Sequence, residues 1–152
     1  MNIKKRMNRV NLGKHSREQG FTLIEIMVVI AILALLAVMV VPQVFNQLQK
    51  AQATRVASDI RAVESALKNY RIDNYKYPSQ SEGLAALVQA PANVRNWNGP
   101  YLDDLPTDPW DAEYRYANPG VNGKEIEVFT FGADNAEGGE GVDSDLGSWN
   151  IK

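Results

Sequence analysis

The first pattern along this chain is an unbroken apolar run near its N-terminus. Every residue from Ile26 to Val41 is apolar, and the run already begins at Phe21, with a single carboxylate, Glu25, inside it. As a helix, residues 21–41 would span roughly 31 Å, close to the hydrocarbon thickness of a bilayer. A buried core helix is the alternative, but the rest of the chain is too small to cover such a helix on all sides. The pattern therefore predicts a membrane-spanning helix.

The second pattern is an amphipathic stripe that follows Pro42. Its apolar residues recur at spacings of three, four or eight, which is typical of one face of a helix. They are Phe45, Leu48, Val56, Ile60, Val63, Leu67 and Tyr70. We predict one helix from about residue 22 to 72, kinked or locally melted at Pro42 because proline cannot donate a helical hydrogen bond. The stripe is expected to cover a small sheet.

Alternation of apolar and polar residues is the third pattern, and it predicts a hairpin. Residues 112–118 and 125–131 alternate on either side of the turn sequence PGVNG. A short helix is predicted around residues 82–89, capped by Ser79 or Ser81. The predicted fold class is α+β, with a long N-terminal helix packed on a small antiparallel sheet.

Charge is distributed unevenly, and this predicts the orientation in a membrane. Residues 1–20 contain six basic residues and one acid, whereas the remainder contains 10 Lys or Arg against 17 Asp or Glu. Basic residues stay in the cytoplasm, which places the acidic body on the opposite side. An acidic body without a basic stripe argues against nucleic-acid binding.

A secretory signal peptide is the nearest rival interpretation of the N-terminus. Its apolar region is usually only about 7–15 residues long and ends at a cleavage site flanked by small residues. Here the run is longer, and no such site follows it at residues 40–43. Gly20 stands before the run instead, which predicts cleavage on the cytoplasmic side and a helix retained in the mature chain.

Residues 20–25, GFTLIE, resemble the type IV prepilin motif. The resemblance implies that a prepilin peptidase cleaves after Gly20 and methylates the new N-terminal Phe21. It also implies three parts of the chain: a leader of residues 1–20, a transmembrane and filament-core helix of residues 21–41, and a periplasmic domain of residues 42–152. The family includes type IV pilins and the pseudopilins of type II secretion.

Glu25 is costly within a membrane helix and therefore needs an explanation. A carboxylate there costs about 2.5–3.5 kcal/mol on insertion scales, so it is usually partnered and functional. It could simply reach the nearby cytoplasmic interface. The motif favours another role, in which Glu25 accepts the α-amino group of Phe21 from a neighbouring subunit and sets the axial register of a filament. Pairing with the terminus of its own chain stays open.

The C-terminal half carries a second resemblance. The segments YPSQSEGLAALVQAP, LPTDPWDAEYRYANPG and FTFGADNAEGGEGVDSDLGSW resemble parts of the major pseudopilin of type II secretion systems. Type IV pilins typically close this region with a disulfide, and the chain has no Cys. Asp111 follows DPW where the family is expected to have Gly, a departure that concerns only a local turn.

An acidic, glycine-rich loop near the C-terminus is the candidate metal site. Residues 134–145 contain five acids and no Lys or Arg. Either the loop is solvated and disordered or a cation organises it, and flexible oxygen ligands suit Ca²⁺ better than Mg²⁺. An EF-hand is excluded because Ala136 stands where the second ligand is needed, and a single match to the β-helix calcium repeat cannot build a solenoid.

The pseudopilin resemblance strengthens the calcium interpretation, since that family orders this loop around one Ca²⁺. It implies side-chain ligands from Asp134, Asp143 and Asp145, with carbonyl ligands from Phe131 and Val142. Glu137 and Glu140 are expected to face solvent. The predicted loop extends over residues 132–148.

Catalysis has little support in the sequence. The only His is His15, in the predicted leader, and there is no Cys, so Ser-His-Asp and Cys-His devices are excluded from the mature chain. Trp97, Trp110 and Trp149 could line a ligand groove, but packing in the core or loops explains lone aromatic residues better. We therefore predict a protein that is not an enzyme.

Together the resemblances imply a structural subunit of the type II secretion pseudopilus. It would sit in the bacterial inner membrane with a single pass, and then polymerise into a periplasmic filament that drives protein export. Expected partners are further copies of itself, minor pseudopilins, the inner-membrane secretion platform and the prepilin peptidase. The alternatives are a type IV pilin, a minor pseudopilin, or a membrane-tethered periplasmic binding module that never polymerises.

Overall fold

One long helix dominates the structure. The computed structural model describes residues 20–151; most of the predicted leader, with His15, lies outside them. Helix α1 runs from Leu23 to Asn74, which confirms the predicted helix of about 22–72. Pro42 lies inside α1 without interrupting it, so the helix does not melt there. Residues up to Val41 and residues from Pro42 onward form two separate compact units.

The N-terminal unit exposes apolar side chains along its whole described length. Every described residue up to Val41 is exposed, and α1 is apolar and long enough in this stretch to cross a membrane. Intrahelical hydrogen bonds satisfy the backbone polar groups, which is what a segment needs in order to exist in lipid.

The second unit contains a three-stranded antiparallel sheet. Strands β1 (Arg115–Ala117), β2 (Glu127–Thr130) and β3 (Leu146–Gly147) lie in that order. In the register, Tyr116 is opposite Val128 and Phe129 is opposite Gly147. The predicted hairpin is therefore confirmed with shorter strands. The two-residue strand β3 was not predicted, because it lies in the glycine- and acid-rich tail without any alternation.

The predicted helix around residues 82–89 is wrong in type and length. The chain forms only a four-residue 3-10 helix, Leu84–Leu87, and no side chain caps it. Ser79 instead closes the preceding turn. Its backbone N–H donates to the Glu82 carboxylate (2.7 Å), and its Oγ accepts the Glu82 N–H (3.3 Å). The carboxylate also accepts the Ser79 hydroxyl (2.7 Å), and the two hydrogen bonds that the carboxylate accepts from Ser79 lower the pKa of Glu82.

The core of the second unit lies between α1 and the sheet, as the stripe predicts. Val56, Ile60, Val63, Leu67 and Tyr70 are fully buried, together with residues of the 3-10 helix and of the sheet, among them Val128. Phe45 and Leu48 do not belong to it, because they are 59% and 52% exposed. The periodic pattern thus identified the correct face of the helix, but it did not show at which residue the rest of the domain stops covering that face.

Candidate functional site

The residues of the predicted processing motif lie at the start of α1. Gly20 and Phe21 precede the helix, and Phe21 is 80% exposed. A Cβ added to Gly20 would meet no atom within 4 Å. The fold of the described chain therefore does not itself require glycine at this position.

Glu25 makes a reciprocal contact with Thr22 that the sequence analysis missed. The Thr22 N–H donates to Glu25 Oε2 (3.4 Å), and the Glu25 N–H donates to Thr22 Oγ1 (3.3 Å). Because Thr22 immediately precedes the first helical residue, this is a capping box, which satisfies two backbone donors at a helix start. The T-x-x-E spacing was the available signal. Glu25 thus has a structural role in its own chain, apart from any pairing between subunits.

The acidic loop folds back on itself, so that its two arms are in contact. The Ala133 N–H donates to the Val142 carbonyl (3.0 Å). A Cβ on Gly132 would lie 2.8 Å from that carbonyl oxygen, and one on Gly139 would lie 2.4 Å from the Asp143 carbonyl oxygen. Both glycines have positive φ, 74° and 82°, so only residues without a side chain fit these positions without strain.

The predicted calcium ligands lie on the two arms of the loop, but their three carboxylates do not converge on one point. Asp145 accepts the Gly138 N–H with both of its carboxylate oxygens (3.1 Å each), and Asp134 accepts the Ala136 N–H (3.1 Å). Residues 20–151 contain no group of three His, Cys, Asp or Glu side chains placed to hold a metal.

Two properties of the loop nevertheless fit Ca²⁺. Its donors are carboxylate and carbonyl oxygens, which this ion prefers. The contact between the loop arms also brings residues 132–133 beside residues 142–143. The ligand set of Asp134, Asp143, Asp145, Phe131 and Val142 stays a prediction. Glu137 and Glu140 are exposed, as expected.

Asp108 supports this end of the sheet and was also missed by the sequence analysis. It is fully buried, and its carboxylate accepts the N–H groups of Trp110 (3.0 Å) and Ala112 (2.9 Å) and the hydroxyl of Thr130. These bonds satisfy a buried charge without a cation. Since Thr130 ends β2 immediately before the acidic loop, Asp108 holds the loop's first arm in place.

The departure at Asp111 concerns a local turn, as predicted. Its N–H donates to the Asp108 carbonyl (3.1 Å), and its φ is 65°. This left-handed conformation favours glycine, and aspartate is among the few other residues that tolerate it.

Packing accounts for Trp97 and Trp149, whereas Trp110 packs against the core and also lines an open cavity beside the acidic loop. Trp97 and Trp110 are half-buried against the core, and the Trp97 indole N–H donates to the Ala86 carbonyl (2.8 Å). Trp149 lies against Phe129, with ring centroids 5.6 Å apart.

Comparisons with known proteins cover nearly the whole chain. A family model described as type II secretion system protein G matches residues 43–149, and a model of the prokaryotic N-terminal methylation motif matches residues 15–41. The type II secretion system core protein G of Vibrio cholerae is 47% identical over 144 residues, covering 93% of this chain and 98% of the relative. The protein of the same name from Pseudomonas aeruginosa is 46% identical over 137 residues, covering 88% and 96%.

A solved structure gives the same result for the fold. The crystal structure of the major pseudopilin from the type 2 secretion system of enterohaemorrhagic Escherichia coli aligns with a TM-score of 0.60 and 37% identity. The alignment covers 70% of this chain and 93% of the other. The long helix on a small antiparallel sheet, the methylation motif and the sequence identity agree, and the chain belongs to the family of type II secretion system protein G.

Proposed function

We propose that this chain is a major pseudopilin, a structural subunit that is cleaved after Gly20, methylated at Phe21 and polymerised into a periplasmic filament for protein export. The observation that carries the proposal is the exposed apolar surface of residues 23–41, which lies within the match to the methylation motif. Such a surface needs lipid before assembly and other subunits afterwards. The role is structural, and no step of it requires catalysis by this chain.

The mature N-terminus tests the processing step. Mass spectrometry of the chain recovered from membranes should find N-methylphenylalanine at Phe21. Gly20→Val should block cleavage while leaving α1 intact, because a side chain at Gly20 meets nothing within the chain. A mature chain that begins beyond Pro42 would overturn the proposal.

The role of Glu25 in assembly can be separated from its role as a helix cap. Glu25→Gln keeps an oxygen acceptor for the Thr22 N–H, since glutamine also forms capping boxes, but it removes the charge. We expect Glu25→Gln to insert into the membrane normally and to lose filament assembly. Partners in the assembly would be other copies, minor pseudopilins and the inner-membrane platform. Unchanged assembly of Glu25→Gln would favour a role as helix cap alone, and failure of the unmodified chain to assemble at all would favour the tethered module.

We also propose that the acidic loop binds one Ca²⁺, held by Asp134, Asp143 and Asp145 with the carbonyls of Phe131 and Val142. When bound, the ion would supply positive charge that offsets repulsion among the five acids. Chelation should lower the melting temperature of the protein, and Asp134→Ala should give the same loss. Glu137→Ala is the matched control, because that exposed acid is not among the proposed ligands. Melting that is indifferent to both chelation and Asp134→Ala would mean that the loop is simply solvated.

A further inference from the structure

The end of α1 presents an exposed groove that the core does not use. We call it the tip groove; its volume is about 400 Å³, and it is lined by Lys68, Arg71, Ile72, Tyr75 and Tyr77. Ile72 is 71% exposed and Tyr75 is 86% exposed. Large apolar side chains this exposed, next to one another on a folded domain, mark a contact surface.

The lining of the tip groove is basic. Arg71 stacks over the Tyr77 ring (4.7 Å to the centroid) and pairs with Glu125 (2.8 Å). Lys68 forms no ion pair among residues 20–151. The nearby acid Glu64 is already paired with Lys124 (3.0 Å). The Lys68 ammonium group can therefore bind an acidic partner, and exposed apolar side chains lie next to it.

The same domain carries the complementary surface at the acidic loop, residues 134–145. The loop contains five acids and no base. Its residues Gly141, Val142 and Ser144 line a cavity together with Lys50 of α1. Arg115 also donates to Asn135 in the loop (3.1 Å). These two cations and one bound Ca²⁺ would not fully neutralise five carboxylates, so the loop keeps an excess of negative charge.

The two surfaces are too far apart to meet within one molecule. From Lys50, beside the loop, to Arg71, in the tip groove, α1 rises by about 32 Å. A contact between them must therefore join two copies. Because it uses different surfaces on the two partners, it is heterologous, and such contacts build rings or open filaments instead of a closed two-fold dimer. The filament is the arrangement that the proposed function requires.

We propose that the tip groove of one subunit binds the acidic loop of another copy of this chain, so that Lys68 faces the loop acids and Ile72 and Tyr75 are covered. The proposal rests on the proposed filament and names one of its contacts. Complementary charge sets which surfaces meet and in which register, and the apolar residues supply the area that is buried.

Cysteine cross-linking tests the contact directly, since the chain has no cysteine of its own. The full chain carrying Ile72→Cys and Glu137→Cys should give a ladder of covalent multimers when assembled filaments are oxidised. Each single variant can give at most a dimer. Ala92→Cys with Glu137→Cys, which pairs the loop with another exposed position, should give no ladder.

A charge exchange provides an independent measurement. Lys68→Glu alone and Glu137→Lys alone should each reduce the amount of filament about threefold to tenfold, and the double variant should recover most of it. Filaments that form normally without the ladder and without charge rescue would overturn the contact and leave the proposed function intact. If the unmodified chain forms no filament at all, the proposed function fails, and the contact fails with it.

Discussion

Two stretches of α1 carry the same kinds of side chain in opposite surroundings. In residues 23–41, Ile30 and Leu33 are 58% and 59% exposed, whereas Ile60 and Leu67, farther along the helix, are fully buried. Backbone hydrogen bonds within the helix are available to both stretches. The difference therefore lies in what covers the side chains: the chain itself covers the second stretch, and only lipid or other copies can cover the first.

The largest expected effect comes from shortening one leucine in each stretch. Leu67→Ala should lower the free energy of unfolding by about 2–5 kcal/mol, because it removes buried surface and leaves a cavity. Leu33→Ala should leave it unchanged, since Leu33 has no cover to lose. Urea unfolding of the full chain in detergent, followed by the fluorescence of the packed Trp97, measures both. Equal losses would mean that the apolar run is folded against the chain's own body.

A smaller loss is expected from the buried carboxylate of Asp108. Asp108→Ala would strand the N–H groups of Trp110 and Ala112 without an acceptor, at a cost of about 1–3 kcal/mol. Asp108→Asn keeps an oxygen for these donors and should cost clearly less. Asp103→Ala, at an exposed acid, is the control and should have no effect. Identical results for the Ala and Asn variants would show that the buried charge matters more than the hydrogen bonds do.

Alkaline pH should also separate the two stretches. Burial and the nearby carboxylate of Asp59 raise the pKa of Tyr114, and burial raises that of Tyr116 to about 12. A pKa raised in the folded state adds stability that is fully present below the unfolded value of about 10 and is lost as the pH rises through the folded value. The body should therefore melt at lower temperature between about pH 10 and 12, whereas the stretch 23–41, which has no tyrosine, keeps its helical circular dichroism.

A tyrosine substitution identifies the cause of this alkaline loss. Tyr114→Phe removes the hydroxyl that donates to Asp59 (3.0 Å), so it should lower stability at neutral pH but weaken the further decline above pH 10. The exposed Tyr75 serves as the control, and Tyr75→Phe should leave the whole profile unchanged. An unaltered decline in Tyr114→Phe would assign the alkaline sensitivity to other groups.

The sequence predicted the features that depend on local periodicity. The spacing of apolar residues predicted the long helix and the burial of Ile60 and Leu67. Both predictions were confirmed. Phe45 has the same spacing but is exposed, because periodicity selects a face without saying how far its cover extends.

Features that depend on distant partners were missed. Strand β3 is defined by its pairing with β2, and the buried Asp108 carboxylate accepts the hydroxyl of Thr130, which lies 22 residues away. In the loop, acid spacing identified candidate ligands, but the arrangement of their carboxylates depends on which backbone N–H each one accepts. Asp134 accepts the N–H of a near neighbour, Ala136, but the pairing of Asp145 with Gly138, seven residues away, cannot be read from neighbouring residues.

The smallest expected effect concerns the helix cap at the start of residues 23–41. Thr22→Val removes the hydroxyl that accepts the Glu25 N–H, and loss of such a cap costs about 0.5–2 kcal/mol of local helix stability. Amide hydrogen exchange at Glu25, measured on the full chain in detergent micelles, should therefore become about 2-fold to 30-fold faster. The unfolding of the body should not change.

Thr22→Ser is the matched control, because serine keeps the accepting oxygen and should preserve the slow exchange. If serine and valine gave the same fast exchange, the hydroxyl alone would not hold the helix start, and the methyl group of Thr22 would be needed as well. If both kept the slow exchange, the apolar run would begin its helix without a cap. Slow exchange in Thr22→Ser together with fast exchange in Thr22→Val would show that the hydroxyl caps the helix. The exposed stretch would then depend on one local contact, and the same contact positions Glu25.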